Sequence, residues 1–385
     1  MSLGFQKAVG FLLLILLGLL LQKKIANEQN LKGIKVLILS VALPATIFVA
    51  LLKIELEMSL IILPVLALLF NFILLGSSNF LLSGFGVKKN SAKHRTLLML
   101  LPSLAPGLSC FPFIIEFLGD GELAMAAVAD VGNKVFVLIL LYMLAMHWYH
   151  LQFKSSQQEV GASKIKSLLL SLINEPINMV MIVAFVLLAF GIHLSSFPVF
   201  LENTILRLST MMTPLVLLFI GMAVKIKWKE LKTIFFLLTL RSGITFLLSA
   251  AFIYFFPALT PAIALLVIVF PQSSCSFWPF AHMSAVNSLE EKNKNLNNTF
   301  NTNLALSVLA LSLPFSTLLI IGIFSFQTVF LNPFIVAAIG MGLIGVSIIP
   351  IIVKAIQTTT TSDRSIKEIP FFNRMIEDLR SKKAS

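Results

Sequence analysis

Along the 385 residues, long apolar runs alternate with short polar blocks. A helix that spans a bilayer needs about 20 mostly apolar residues in succession. Runs of that length fall at 3–22, 33–52, 58–83, 95–118, 122–149, 166–192, 200–224, 232–256, 260–283, 297–325 and 332–354. The pattern predicts an all-α polytopic membrane protein. A polar, net basic stretch, 355–385, follows the last run and reads as a cytoplasmic tail.

Composition agrees with the pattern. Hydrophobic residues make up 58% of the chain and charged residues 12%. Mean hydropathy is +0.96. A soluble domain carries about 25% charged residues, so this chain lacks the polar surface to cover a globule in water. The net charge of +12 does not point to nucleic acid, because the basic residues sit in blocks between the apolar runs. No phosphate-cradling glycine loop, metal-ligand spacing or nucleophile–base set is present, so an enzyme is not expected and no cofactor is implied.

The basic blocks set a topology. Lys23, Lys24, Lys32 and Lys35 fall in the first loop, then Lys88, Lys89, Lys93 and Arg95 in the third. Lys154, Lys164 and Lys166, then Lys225, Lys227, Lys229 and Lys232, and then Lys292 and Lys294 fall on the same side. The alternate loops hold little basic charge beyond Lys53. By the positive-inside rule the N-terminus lies outside and the tail in the cytoplasm of a cell (inner) membrane protein. The first run has Lys23 and Lys24 on its far side and no small-residue cleavage site, so it reads as a retained helix.

Two segments about 165 residues apart are near copies: Pro106-Gly107-Leu108-Ser109-Cys110-Phe111-Pro112-Phe113 and Pro271-Gln272-Ser273-Ser274-Cys275-Ser276-Phe277-Trp278-Pro279-Phe280. Each interrupts an apolar run, the fourth and the ninth. Pro44 and Pro214 match at a similar offset, as do the polar fifth run, with Asp130 and Asn133, and the polar tenth, with Asn298, Asn301 and Asn303. A unit of five helices is odd, so its second copy is inverted. The expected organisation is one five-helix repeat at 1–150, a cytoplasmic linker at 151–165 and an inverted repeat at 166–328. An extra helix at 329–354 and the tail at 355–385 complete it. Gly340, Gly342 and Gly345 give the extra helix a small-residue face for close packing. Inverted repeats with broken helices are a transporter signature.

The run Leu172-Ile173-Asn174-Glu175-Pro176-Ile177, with Phe197-Pro198, Thr213-Pro214-Leu215 through Gly221-Met222, and Pro271, resembles the second half of the auxin efflux carrier-like permeases. Leu43-Pro44-Ala45, Gly107 and Pro112 carry the resemblance into the first half. It covers about residues 5 to 325. The resemblance implies a ten-helix core similar to bile acid/sodium symporters and sodium/proton antiporters, with the fourth and ninth helices unwinding and crossing at the bilayer centre. It also implies organic anions, auxin or small carboxylates, as solutes. Two positions depart from the family pattern. Ala105 stands where relatives often place an Asn, which removes an auxin-like amide contact, and Glu175 separates Asn174 from Pro176.

Candidate chemistry follows from what is unusual at membrane depth. Proline removes a backbone donor and breaks the helix. The half-helix after a break offers amides and a positive dipole end to a carboxylate. Pro106, Pro112 and Pro271 are therefore candidate substrate-site residues, with Ser109, Ser273 and Ser274 adding hydroxyls; Ser103, Gln272 and Ser276 extend the set. The two cysteines read as packing residues. Asp130 and Lys134 lie four apart, on one helical face. A lone charge at the bilayer centre costs at least about 2.5–3.5 kcal/mol. Lys134 is thus either part of a structural pair with Asp130 or a cation that binds substrate and couples to an ion with Asp130 and Asn133. Arg241 and Glu175 form a candidate structural pair or gate. Glu116, Glu202, Arg207 and His282 read as interfacial. Asn301 belongs either to a solvated helix entry or, if its helix starts earlier, to the central site.

The expected function is secondary-active transport of small organic anions by alternating access. Alternatives are a sodium-coupled symporter of the same fold and a membrane receptor or regulator whose eleventh helix and tail serve a partner. Expected partners are a small organic anion, the lipid bilayer, a coupling proton or sodium ion, and a second copy of the chain in a homodimer, with no nucleic acid.

Overall fold

Apolar side chains in unbroken succession cannot all face a protein interior, and helices that close their own backbone hydrogen bonds are the economical solution in lipid. The computed structural model describes residues 3–25, 27–54, 60, 62–82, 85, 87–153, 162–223, 228–292 and 298–349. Among the described residues there is helix and no strand. Seven continuous helices are long and apolar enough to cross a membrane: α1 (Gly4–Ile25), α2 (Gln29–Leu51), α3 (Ile62–Leu81), α5 (Asp120–Gln152), α7 (Val199–Ala223), α8 (Lys232–Phe255) and α10 (Thr302–Ser325). Three more runs are broken, and another is a shorter helix. The fourth consists of α4a (Ala92–Leu100) and α4b (Phe111–Phe117), with a helical turn, Pro106–Ser109, between them. The sixth is a pair, α6a (Lys166–Ile173) and α6b (Pro176–Ala189), bent by 66°. The ninth splits into α9a (Pro261–Gln272) and α9b (Trp278–Lys292). The eleventh is α11 (Pro333–Ile349). The expected tail and the end of the last run, 350–385, lie outside the described residues, as does most of the 151–165 linker.

The helices sort into two groups. Helix α1 packs on the second half of α7, Met212–Ala223, and α2 packs on α6b and on the first half of α7. The second group contains α3, α4, α5, α8, α9 and α10, with α3 against α5 as its most extensive pairing. The groups meet where α2 crosses α5, where α1 crosses α10, where the second half of α7 meets α4b and where α6a meets the Phe136–Leu140 turn of α5.

Glycines mark the closest approaches. A Cβ at Gly221 would lie 2.1 Å from the Ile15 carbonyl oxygen, and one at Gly18 would lie 2.3 Å from that of Leu218. Gly132 of α5 meets the Pro64 backbone of α3 in the same way, at 1.8 Å. Helix α11 docks on α8 through Gly340, whose Cβ would lie 2.9 Å from the Gly243 carbonyl; Gly342 and Gly345 face open space. Small residues thus let backbones touch, which is how helices associate when the surrounding solvent is as apolar as their side chains.

Replacing Gly221 with Ala is expected to lower stability by at least about 1–3 kcal/mol, because the obstructing atom is backbone and cannot rotate away. Thermal unfolding in detergent checks this against Gly322→Ala, where nothing lies within 4 Å and no change is expected. Equal unfolding temperatures for the two variants would contradict the α1–α7 contact.

Candidate functional site at two broken helices

Breaking a helix at membrane depth frees carbonyls and amides that must find other partners, since each one left unpaired in hydrocarbon costs several kcal/mol. In α4 the break runs from Leu101 to Ala105. In α9 it runs from Ser273 to Phe277. The two segments satisfy each other. Ala105 N–H donates to the Ser274 carbonyl at 2.8 Å. Ser274 N–H donates to Ser109 Oγ at 2.9 Å, and Ser276 N–H to Ser103 Oγ at 3.0 Å. Each serine hydroxyl in turn donates within its own segment, Ser109 to the Ala105 carbonyl and Ser103 to that of Leu100. Cys275 N–H is taken by Ser312 Oγ of α10, at 3.2 Å. The sequence copies Pro106–Cys110 and Pro271–Cys275 are therefore spatial neighbours.

Side chains complete the accounting for carbonyls whose helical partner is gone. Ala105 N–H has left Leu101 O, and Arg241 Nε of α8 donates to it at 2.8 Å; Arg241 Nη2 lies 3.5 Å from Ser103 O. Pro271 has no N–H to offer Val267 O, and Ser249 Oγ donates there at 2.9 Å. Pro176 likewise cannot serve Leu172 O, and Asn178 Nδ2 donates to it at 2.6 Å. Asn133 of α5 works on both main-chain groups of Leu104: its Nδ2 donates to Leu104 O at 2.9 Å, and its Oδ1 accepts from Leu104 N at 3.2 Å. Asn71 of α3 donates to the same Oδ1 at 3.2 Å, and Asn133 Nδ2 also donates to Asp130 Oδ1 at 2.8 Å. A carboxamide carries both a donor and an acceptor, so Asn is suited to standing in for a missing stretch of backbone.

Next to this clamp lies a buried charge cluster. Lys134 Nζ is 3.4 Å from Asp130 Oδ2, 2.9 Å from Glu175 Oε2 and 3.0 Å from Asn178 Oδ1. Asn178 Nδ2 reaches Glu175 Oε2 at 3.3 Å. Asp130 and Lys134 fall on one face of α5 as their spacing predicts. Glu175 caps the break in α6, where Pro176 is the first helical residue.

Several expectations meet a different arrangement. Glu175 does not pair with Arg241: the ammonium of Lys134 takes Glu175, while Arg241 is held by the carbonyls of the α4 break. Among the described residues no carboxylate lies within 4.0 Å of Arg241, although it is 2% exposed. Asn301 does not face Asp130. It caps α10, its Oδ1 accepting from Leu304 N at 2.9 Å, and its own N–H donates to Thr96 Oγ1 at 2.8 Å. The helix begins at Thr302 rather than near 297, because that cap fixes its start. His282 is buried in the protein; its Nε2 lies 2.9 Å from Val137 O in the π-helical turn Phe136–Leu140. Of the other candidate residues, Ser109 and Ser274 meet directly. Ser273 Oγ donates to the Phe270 carbonyl at 2.6 Å. Pro112 opens α4b at its first turn.

A cavity of about 220 Å³ lies between α3, α5, α8 and α9a. Its walls are apolar, including Phe70, Ala129, Phe252, Phe270 and Pro271; Ser249 is its polar lining residue, with a hydroxyl already given to Val267. The cavity ends one residue from Gln272, whose Nε2 donates to Thr245 Oγ1 at 2.6 Å and to Ser242 O at 3.3 Å. The Oε1 of Gln272 and the Oγ of Ser242 are buried without a partner among the described residues. Sequence reasoning missed Asn71, Asn178 and Ser312. All three are polar residues inside apolar runs, which was the available signal.

Compared with known proteins, the chain matches no family model and no curated sequence.

Asn133→Ala is expected to leave the Leu104 N–H and C=O unpaired, at about 1–3 kcal/mol for each. Equilibrium unfolding in lipid or detergent measures the loss, with Asn303→Ala on α10 as a comparison. An Asn133→Ala protein as stable as the parent would remove the clamp.

Proposed function

We propose that the chain is a secondary-active carrier of small organic anions, working by alternating access around the two broken helices. The observation that carries this reading is Arg241. A guanidinium stays charged, and here it is buried beside the α4 break without a carboxylate among the described residues. Carbonyls at the C-terminal end of α4a stabilise it in part, since that helix end carries partial negative charge. An anion entering the break supplies the rest. The Oε1 of Gln272 and the Oγ of Ser242, the residue after Arg241, are buried and unpaired among the described residues, which leaves hydrogen-bonding capacity for a carboxylic or hydroxylated solute. The adjoining apolar cavity has room for a hydrocarbon portion, which favours an organic anion over an inorganic one.

Lys134 takes a different role from Arg241. Its charge is already matched by Asp130 and Glu175, so it serves coupling and conformation rather than primary anion binding. Asn301 is engaged as a helix cap, so it does not support the sodium-coupled alternative.

The architecture we infer is a pair of inverted five-helix repeats. In support, α1 packs on the second half of α7 as α6b packs on the second half of α2, and the two Pro/Cys segments, 165 residues apart, bond to each other. This arrangement is similar to that of the auxin efflux carrier-like permeases, whose resemblance rests on the residues around Pro44, Pro112, Pro176, Pro214 and Pro271. The loop charges support an orientation with the N-terminus outside and the basic face in the cytoplasm.

Proteoliposomes containing the purified protein, offered a panel of labelled small carboxylates, test the reading. Saturable uptake is expected for at least one of them. Arg241→Gln is expected to raise the half-saturating concentration about tenfold or more, the scale of one charged hydrogen bond at ~1.5–3 kcal/mol. Lys134→Ala is expected to abolish flux while the protein remains folded. Absence of uptake across the panel by folded protein, with and without proton or sodium gradients, would overturn the carrier reading.

A further inference from the structure

The two helix groups are joined across their buried boundary by an ion pair whose part in coupling the carrier reading leaves unspecified. Lys134 belongs to α5, in the group that holds the broken α4 and α9. Glu175 and Asn178 belong to the kinked α6, in the group of α1, α2 and α7. The Lys134 side chain is 7% exposed, so the 2.9 Å bridge to Glu175 is made largely out of water. Among the described residues, the links of Lys53 with Asp120 and of Lys7 with the Glu116 carbonyl also join the groups but are solvent-exposed, and Lys35 of α2 stands over the Phe277 ring at the α9 break, 5.0 Å from its centre. If the groups move against one another, the Lys134–Glu175 bridge must break.

The cluster is also unequal in charge. Two carboxylates share one ammonium, so the fully ionised set carries one excess negative charge in a low-dielectric interior. Such a site lowers its energy by taking up a proton. The two acids are not equivalent receivers. Asp130 has a side chain 5% exposed, with Oδ1 bound to Asn133 and Oδ2 facing Lys134. Glu175 has a side chain 23% exposed and stands at the open corner of a helix bent by 66°. Among the described residues the charged groups facing Glu175 are Lys134 and Asp130, both from α5. The stretches of α2 packed on α6b, Ile38–Ala42 and Leu43–Leu51, contain no ionisable residue.

We propose that Glu175 is a proton-binding site and that its protonation releases a latch between the two helix groups. In resting form, Lys134 holds the ionised Glu175 and Asn178. A proton from water adds to a carboxylate oxygen of Glu175, forming one O–H bond; Lys134 keeps its own proton. The ion pair to Glu175 is lost, Lys134 retains Asp130 on its own helix, and Asn178 alone still joins the groups. The neutral cluster is then free to part, and the conformational change carries one proton with it. The solute implied for this second site is the proton, and the reading of the protein as a carrier underlies its coupling role.

Two measurements on purified protein in nanodiscs test the site without any transported substrate. Infrared difference spectra through a pH titration are expected to contain a protonated-carboxyl band that disappears in Glu175→Gln and persists in Asp130→Asn. Labelling of Cys110, which is buried in the apolar cluster shared by both groups, reports opening in a Cys275→Ala background. Acidification is expected to accelerate labelling about 5–150-fold, the usual range for coupling between two sites. Glu175→Gln is expected to label at the faster rate at every pH. Asn178→Ala, which weakens the latch but keeps the acid, is expected to label faster yet remain pH-dependent. A band that survives in Glu175→Gln, or labelling in that variant that still follows pH as in the parent, would overturn the proposal. Failure of carboxylate uptake alone would instead overturn the carrier reading.

Discussion

A backbone that leaves helical form inside a bilayer has no water to turn to, and this chain leaves helical form twice at nearly the same place. The segments after Leu100 and after Gln272 survive there because each supplies what the other lacks. The Ala105 amide takes the Ser274 carbonyl, and Ser109 and Ser103 take the amides of Ser274 and Ser276. Neither break is tolerable without its partner, so the two copies of the Pro/Cys segment form one structural unit. The placement of Asn133, Arg241, Ser249 and Ser312 follows from the same constraint. Each presents a donor or acceptor to a main-chain group left without its usual helical bond.

This division of labour separates three chemistries around the broken helices. Neutral amides and hydroxyls hold the broken backbone. Arg241 contributes a fixed positive charge to the α4 break. The Asp130–Lys134–Glu175 cluster, mobile in its protonation, bridges the helix groups. A fixed cation suits a solute that arrives with its own charge, whereas a cluster with one acid too many suits a proton. The glycine contacts add rigidity where it is needed. Gly18 with Gly221, and Gly132 with Pro64, lock helices within a group, while the boundary between groups is held by a breakable ion pair.

Much of this was legible in the sequence, for identifiable reasons. Apolar run length predicted the helices, because the bilayer imposes its thickness on each. The prolines predicted the breaks in α4 and α9, because a missing N–H has the same consequence in any fold. The four-residue spacing of Asp130 and Lys134 predicted their pairing. What failed was partner choice across the chain. Glu175 and Arg241 are both charges at depth, but nothing in a one-dimensional pattern tells that Lys134 stands nearer to Glu175, or that two freed carbonyls hold Arg241. Asn301 was read as central because the polar cluster at 297–303 hides where the helix starts; the cap itself decides it. The π-helical turn at Phe136–Leu140 contains no proline, and its contact with His282 comes from α9b, over a hundred residues away.

Amide hydrogen exchange on the protein in nanodiscs tests the central claim most directly, namely that the two unwound segments are mutually satisfied rather than open. The amides of Ala105, Ser274 and Ser276 are predicted to exchange as slowly as those in the flanking helices α4a and α9b, and Ser109→Ala to accelerate exchange at Ser274. Exchange at these three amides as fast as in an exposed loop would contradict the account.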